Sequence, residues 1–311
     1  MDNPTAQARL GSSLPGQIGS TPLLRLEQPV RGLSGITLLA KAEWANPSGS
    51  VMDRAAAALV RDARRRGLLV PGKILLDATT GNTGIAYAML GAALGFPVHL
   101  AIPASISPEM KRALSAYGAV VDWTDAAEGS DAAIRRAREI AGNDPGRFCY
   151  VDQYSNDANW LAHYNSTGPE IWQQTQGLVT HFVAGLGTTG TFMGTARRLK
   201  EMNPLLQAVS VQPRAHGSSI PGLTHIHTSI VPPIYNPHLA SRMIEVEAEA
   251  VVSMAQRLAR EEGLLVGYSA AAAVAVCLQI AEEEAAAGRP AVIATVLPDS
   301  GERYLGAWLP Q

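Results

Sequence analysis

Cysteine is nearly absent: the 311-residue chain holds 2, Cys149 and Cys277, far apart and outside any Cys-x-x-Cys pair. Neither a disulfide framework nor a thiolate metal site is encoded, and a reducing cytoplasm is the expected compartment. Lysine is scarce as well, with Lys41, Lys73, Lys111 and Lys200 the complete set. A net charge of -2 gives no global field to gather nucleic acid or anionic lipid, so neither partner is expected. Long apolar runs are missing too. The amino terminus, Met1 to Gly19, lacks the apolar core of a secretion signal, and the most apolar stretch, Ala270 to Ala281, is too short to span a bilayer. The basic run Arg61, Arg64, Arg65, Arg66 reads as the solvated last turn of a helix.

Against these absences, 47% of the residues are hydrophobic, enough to fill a sizeable core. Short apolar runs alternate with longer helical patterns: 37–42, 55–66, 74–77, 85–94, 98–102, 109–117 and 120–123. The pattern resumes after an irregular stretch at 152–165, with strands at 180–184, 208–212 and 291–297 and helices at 192–202 and 251–262. Continuous apolar strands separated by helices predict an α/β fold with parallel sheets, in two units divided near residue 155. A ligand would sit between the units at the carboxyl ends of strands. The segment 214–237 has little periodicity and reads as a long functional loop.

Two strand-to-helix junctions carry the chemistry. In Gly185-Leu-Gly-Thr-Thr-Gly190-Thr191, backbone N–H groups and hydroxyls converge where a helix dipole favours an anion, which suits a phosphate. The run also satisfies G-x-G-x-x-G, but the next strand ends in Gln212-Pro213 rather than in the acidic residue that a dinucleotide ribose needs. The second junction, Asp77-Ala-Thr-Thr80-Gly81-Asn82-Thr83-Gly84, suits a carboxylate, with simple helix capping by Asn82 or Thr83 as the alternative.

Together with Asn46-Pro-Ser-Gly-Ser-Val-Met-Asp-Arg54 and Pro298-Asp-Ser-Gly-Glu-Arg-Tyr304, these junctions resemble the cysteine synthase family, especially its B branch, in the family's order across nearly the whole chain. The resemblance implies a fold-type II, tryptophan synthase β-like enzyme with pyridoxal 5'-phosphate (PLP) as cofactor. It implies a smaller substrate-binding domain, 1–11 and 46–156, and a larger PLP-binding domain, 12–45 and 157–311, in a homodimer. Gly187, Thr188, Thr189, Gly190 and Thr191 look like the phosphate loop, and Asn82 like the partner of the ring hydroxyl. Thr79, Thr80, Gly81, Thr83 and Gln153 look like the grip on the substrate carboxylate, and Ser300 like the partner of the pyridine nitrogen. A neutral hydroxyl there cannot keep the ring protonated, so loss of a β-substituent is favoured over transamination or racemisation. Asp299 is read as pointing away, toward a supporting position or the surface. Gly267-Tyr268-Ser269-Ala270 matches the family's stretch near the ring only in part.

Position 52 is where the family keeps its Schiff-base lysine, and this chain has Met52. A thioether has neither a nucleophilic nitrogen nor a titratable proton, so activity is expected to be lost or very low. An engineered lysine-to-methionine change, leaving PLP held non-covalently or as an external aldimine, accounts for the otherwise complete loops. A natural pseudoenzyme with a binding role is a second explanation, and service by a lysine elsewhere a third. The parent reaction implied is β-replacement on an O-activated L-serine, O-acetylserine by default, with a sulfur donor to form L-cysteine. A serine/threonine dehydratase or cystathionine β-synthase-like catalyst is the alternative within the fold. Leu223-Thr224-His225-Ile226 stands where phosphoserine users place an arginine, although Arg214 is nearby. His216, His225 and His227 lack ligand spacing and a carboxylate, so no metal is expected.

Overall fold

The computed structural model describes residues 13–214 and 220–308. One sheet has six strands in the order β1 (Leu23–Leu26), β2 (Ile36–Ala42), β10 (Ala291–Leu297), β7 (His181–Gly185), β8 (Gln207–Pro213) and β9 (Arg242–Val246). All neighbours are parallel except β1 and β2. A second, wholly parallel sheet runs β5 (Val120–Thr124), β4 (Val98–Pro103), β3 (Ile74–Ala78) and β6 (Phe148–Tyr150). The chain is therefore α/β, with two mostly parallel sheets flanked by helices.

Helices α1 (Met52–Arg65), α2 (Asn82–Leu94), α3 (Pro108–Ala116), α4 (Gly129–Asn143), α5 (Ala158–Asn165), α6 (Thr167–Gln174), α7 (Gly190–Met202), α8 (Ala248–Glu261), α9 (Tyr268–Ala286) and α10 (Leu305–Trp308) connect and cover the sheets. α2 and the amino-terminal two thirds of α9 are buried on almost every side, which explains why both read as uniformly apolar rather than amphipathic. Small residues suit these positions because neighbouring elements crowd in from all directions. The large sheet and α9 share one apolar core around Leu38, Val209, Val274 and Ile293, and the small sheet another around Leu75, Tyr87 and Leu100.

The elements differ from the periodic pattern in several places. α1 begins at Met52 rather than near Ala55, so residue 52 is its first residue. The stretch expected to be irregular contains α5, whose polar surface hides buried Asn159 and His163. α4, too, escapes the apolar pattern, because Ala133, Ile134, Ala137 and Ile140 are its only buried positions among charged ones. Among the described residues, the loop from Arg214 carries only short 3-10 turns, at Ile226–Thr228 and Pro237–Leu239. His216 lies outside the described residues.

Candidate active site

A cavity of about 1050 Å³ opens between the carboxyl ends of the two sheets. The β3–α2 junction contributes Thr80, Asn82 and Thr83, the β7–α7 junction Gly187, Thr188, Thr189 and Thr191, and the start of α1 contributes Met52. Loop residues 220–225 form another part of the wall. The loop is fixed to both halves: Thr224 N–H donates to Leu186 O at 2.7 Å, and Ile230 N–H donates to the Asp131 carboxylate at 3.1 Å.

The β7–α7 junction fits a phosphate on two independent counts. Thr189 is 2% exposed and adopts a left-handed backbone (φ +71°), yet its hydroxyl has no partner in the protein. A strained residue presenting an unsatisfied buried hydroxyl is the signature of a missing ligand group. A side chain at Gly187 would also come within 2.7 Å of Gly222 O, so only glycine lets the loop close there. Asn159, wholly buried, donates to Thr188 Oγ1 at 3.1 Å and holds the loop from below.

At the β3–α2 junction the roles divide. Thr80, Asn82 and Thr83 line the cavity, whereas Thr79, Gly81 and Gln153 do not. Thr79 Oγ1 accepts from Gly81 N–H at 3.1 Å and Gly84 N–H at 3.3 Å, shaping the turn. Gly81 has φ +135°, and Met110 Sδ occupies the space a Cβ would need. Gln153 is fully buried; it accepts from Thr83 Oγ1 at 2.8 Å and donates to Ala78 O, so both ends of its amide are committed. Ser300 also stands outside the cavity lining, where its hydroxyl accepts from Glu302 N–H at 3.2 Å, and Gly190 opens α7.

Asp299 is not at the surface. It is fully buried, accepts from Asn82 Nδ2 at 2.7 Å and Tyr304 OH at 2.6 Å, and has one carboxylate oxygen unpartnered. Burial pushes its carboxyl up. Of the two expected places, the supporting one holds; strand alternation could not choose between them, because it is broken where β10 ends and a 3-10 turn begins at Gly301.

Beneath the start of α1 lies a buried ionic cluster. Arg54 donates to Glu43 at 2.8 Å and to Glu170 at 2.6 Å, and Lys41 Nζ meets Glu170 at 2.6 Å. Two cations balance two carboxylates, which is how charges are tolerated away from water. Burial lowers the Lys41 amine, against the pull of Glu170. Burial opposes ionisation of Glu170 as well, but Arg54 and Lys41 hold its carboxyl down at about 2. Next to Met52, Asp53 is buried and accepts from Ser48 N–H at 2.7 Å; burial pushes it up to about 6 despite those bonds.

None of the four lysines is among the described lining residues. Lys41 is locked in the cluster, and the amines of Lys73, Lys111 and Lys200 donate to Pro145 O, Ala104 O and Leu239 O at 2.8, 2.7 and 2.8 Å. No arginine is among those lining residues either, while Glu109, Glu128 and Asp131 are. Arg214 is paired with Glu247 at 2.7 Å. His225 and His227 lie ring to ring at 5.7 Å, and among the described residues no group of three His, Cys, Asp or Glu could hold a metal ion. Among the same residues no helix is long and apolar enough to cross a membrane.

Residues 14–299 match the model of the family described as pyridoxal-phosphate dependent enzyme. The chain is 48% identical over 306 residues to a cysteine synthase of Aquifex aeolicus, covering 98% of this chain and 93% of that one. It is 42% identical to cysteine synthase B of Pseudomonas aeruginosa, covering 93% and 94%. Among solved structures, O-ureido-L-serine synthase superposes with a TM-score of 0.87 at 33% identity, covering 95% and 94%. A lysine-to-alanine mutant of that enzyme, solved bound to O-ureido-L-serine, superposes with a TM-score of 0.89 at 33% identity, covering 96% and 93%.

Proposed function

We propose, for a chain that belongs to the pyridoxal-phosphate dependent enzyme family and takes PLP as its cofactor, a site built for β-replacement on O-acetyl-L-serine with a sulfur nucleophile, halted by Met52. The observation that carries this reading is the meeting of two anion-accepting strand–helix junctions on one cavity, with residue 52 on its wall. The segregation of strands 74–150 from strands 23–42 and 181–297 supports the division into a smaller domain, 46–156 with 1–11, and a larger one, 12–45 with 157–311.

When bound, the cofactor supplies an electron sink that labilises the Cα proton and the β-substituent of an amino acid. The protein supplies position and charge. Gly187 to Thr191 hold the phosphate through N–H groups and the free Thr189 hydroxyl. Thr80 and Thr83 face the substrate carboxylate, with Thr79, Gly81 and Gln153 fixing the shape of that turn. Asn82 donates toward the ring hydroxyl, and Ser300, which stands outside the described lining, serves the pyridine nitrogen once its hydroxyl turns from Leu265 O. The absence of lysine and arginine from the described lining, beside Glu109, Glu128 and Asp131, favours a donor with a neutral acyl group over a phosphorylated one. The same reading takes the chain for a cytoplasmic homodimer, which its likeness to the cysteine synthases supports.

Residue 52 is the position that must hold and move the Cα proton, and a thioether does neither. Met can occupy the space of the lysine stem without opening a cavity, and the intact junctions around it favour an engineered change over drift. A non-catalytic binder of PLP and amino acids is the second reading, favoured by the commitment of all four lysine amines away from the cavity. The lysine-to-alanine relative bound to O-ureido-L-serine supports retention of ligand without that amine.

Met52→Lys, assayed beside the chain as given with PLP, O-acetylserine and sulfide, is expected to raise cysteine formation by about a hundredfold or more. O-phosphoserine is expected to be the poorer donor. Two folded but silent proteins would reduce the assignment to a binding role.

A further inference from the structure

Asn82 does not stand alone at the cavity wall. Its Nδ2 donates to Asp299 Oδ2 at 2.7 Å, and its Oδ1 accepts from Arg303 Nη1. Arg303 also donates to Ser48 O, and the same Asp299 oxygen accepts from Tyr304 OH at 2.6 Å. A carboxamide can ordinarily flip, exchanging its donor and acceptor ends at little cost. Here the flip is forbidden by chemistry: a guanidinium has only donors and must meet Oδ1, while a carboxylate accepts and must meet Nδ2. Nδ2 carries a second hydrogen, and Asn82 is on the cavity lining.

We propose that Asp299 and Arg303 are positioning residues that clamp the Asn82 carboxamide with its second N–H turned toward the phenolic oxygen of the cofactor ring. The inference rests on the ring lying beside Asn82, as proposed above. Asp299 is suited to the task because it is fully buried and cannot exchange Asn82 for water. The clamp also spans the molecule, since Asn82 opens α2 beside the small sheet and Asp299 follows β10 of the large one. A fixed N–H donor favours the ionised phenol, because a hydrogen bond to the charged form stabilises it.

Charge alone and the clamp agree for Arg303 and make opposite forecasts for Asp299. Removing the Arg303 cation would by charge raise the midpoint of phenol ionisation, and removing the Asp299 anion would lower it. Release of the amide raises it in both cases. The test is an absorbance titration of bound PLP in the full chain, with the dissociation constant of PLP measured in parallel. Asp299→Leu and Arg303→Met are each expected to shift the phenol-to-phenolate ratio about tenfold toward the phenol. Arg303→Lys, which keeps a donor for Oδ1, should move it much less. If Asp299→Leu does not fold, Asp299→Asn takes its place; it keeps an acceptor, so the midpoint should not fall, whereas charge alone requires a fall.

Opposite shifts from the two removals would reduce the effect to charge. Unchanged midpoints with weaker PLP binding would reduce it to packing, and either result overturns the clamp. Asn82→Ala separates the two layers of the argument. If it leaves the midpoint unmoved with PLP bound, the ring is not beside Asn82 and the site reading fails with the clamp. If it moves the midpoint while the Asp299 and Arg303 variants do not, the clamp alone fails.

Discussion

His163 has no exposed surface and lies between two hydroxyls, with Nδ1 at 2.9 Å from Thr167 Oγ1 and Nε2 at 3.3 Å from Thr191 Oγ1. Burial pushes the imidazole down to about 3, so it is neutral across the working pH range and has one donor and one acceptor to assign. Thr191 lines the cavity. For its proton to serve a phosphate, Thr191 must accept from Nε2–H, which leaves Nδ1 to accept from Thr167. Thr191 was legible in the sequence as a loop hydroxyl, but His163 was not, because 28 residues separate it from its partner. His163→Leu is expected to weaken PLP binding about fivefold, the worth of one hydrogen bond. Gln can present a donor and an acceptor in its place, so His163→Gln should bind within about twofold of the parent. A fluorescence titration in which the two variants bind PLP alike would refute the relay.

At the scale of elements, the phosphate loop is held by the packing of α5 against α7. A Cβ at Gly194 in α7 would collide with Trp160 O and come within 2.8 Å of His163 Cβ. Alanine in an exposed helix interior is favoured over glycine by about 1 kcal/mol, but here overpacking opposes it with about 1–3 kcal/mol or more. The steric effect wins. Gly194→Ala is expected to destabilise the chain by at least about 1 kcal/mol in urea unfolding, and a stabilised variant would show that the two helices can part freely. Sequence periodicity located α7 well because its buried face is conventionally apolar: Phe192, Met193, Ala196 and Leu199. It missed α5 because that helix buries the polar side chains Asn159 and His163, whose partners include Thr188 and Thr191 of the phosphate loop, 29 and 28 residues along the chain.

For the whole molecule, two carboxyl groups, in addition to Asp53 and His163 already described, shape the response to pH. Asp77, fully buried at the end of β3, accepts from Tyr87 OH at 2.9 Å, and burial raises its carboxyl to about 8. The folded form keeps a proton that the unfolded chain releases near pH 4. Its contribution is therefore fully present below about pH 4, falls by a few kcal/mol as pH rises toward about 8, and is constant beyond. Glu170 acts oppositely and elsewhere on the scale. Held down at about 2, it stabilises the fold above its ordinary range near 4.5, and that contribution is lost as pH falls toward 2. Asp77→Asn should flatten the slope of unfolding free energy between pH 4 and 8 while leaving the acid limb; an unchanged slope would place the ionisation elsewhere. By itself the sequence determined the α/β class, the two glycine- and hydroxyl-rich junctions, and the absence of an amine at residue 52, because these are written in short contiguous runs whose backbone needs are local. The tertiary structure decided which hydroxyls face the cavity, turning Thr79 and Gln153 inward as supports. It drew Asp299 and Arg303 onto Asn82 and committed every lysine amine to a carbonyl or carboxylate. Those outcomes depend on contacts between residues as much as 221 positions apart, and desolvation, which decides their protonation and partners, is a property of the packed molecule that no local run encodes.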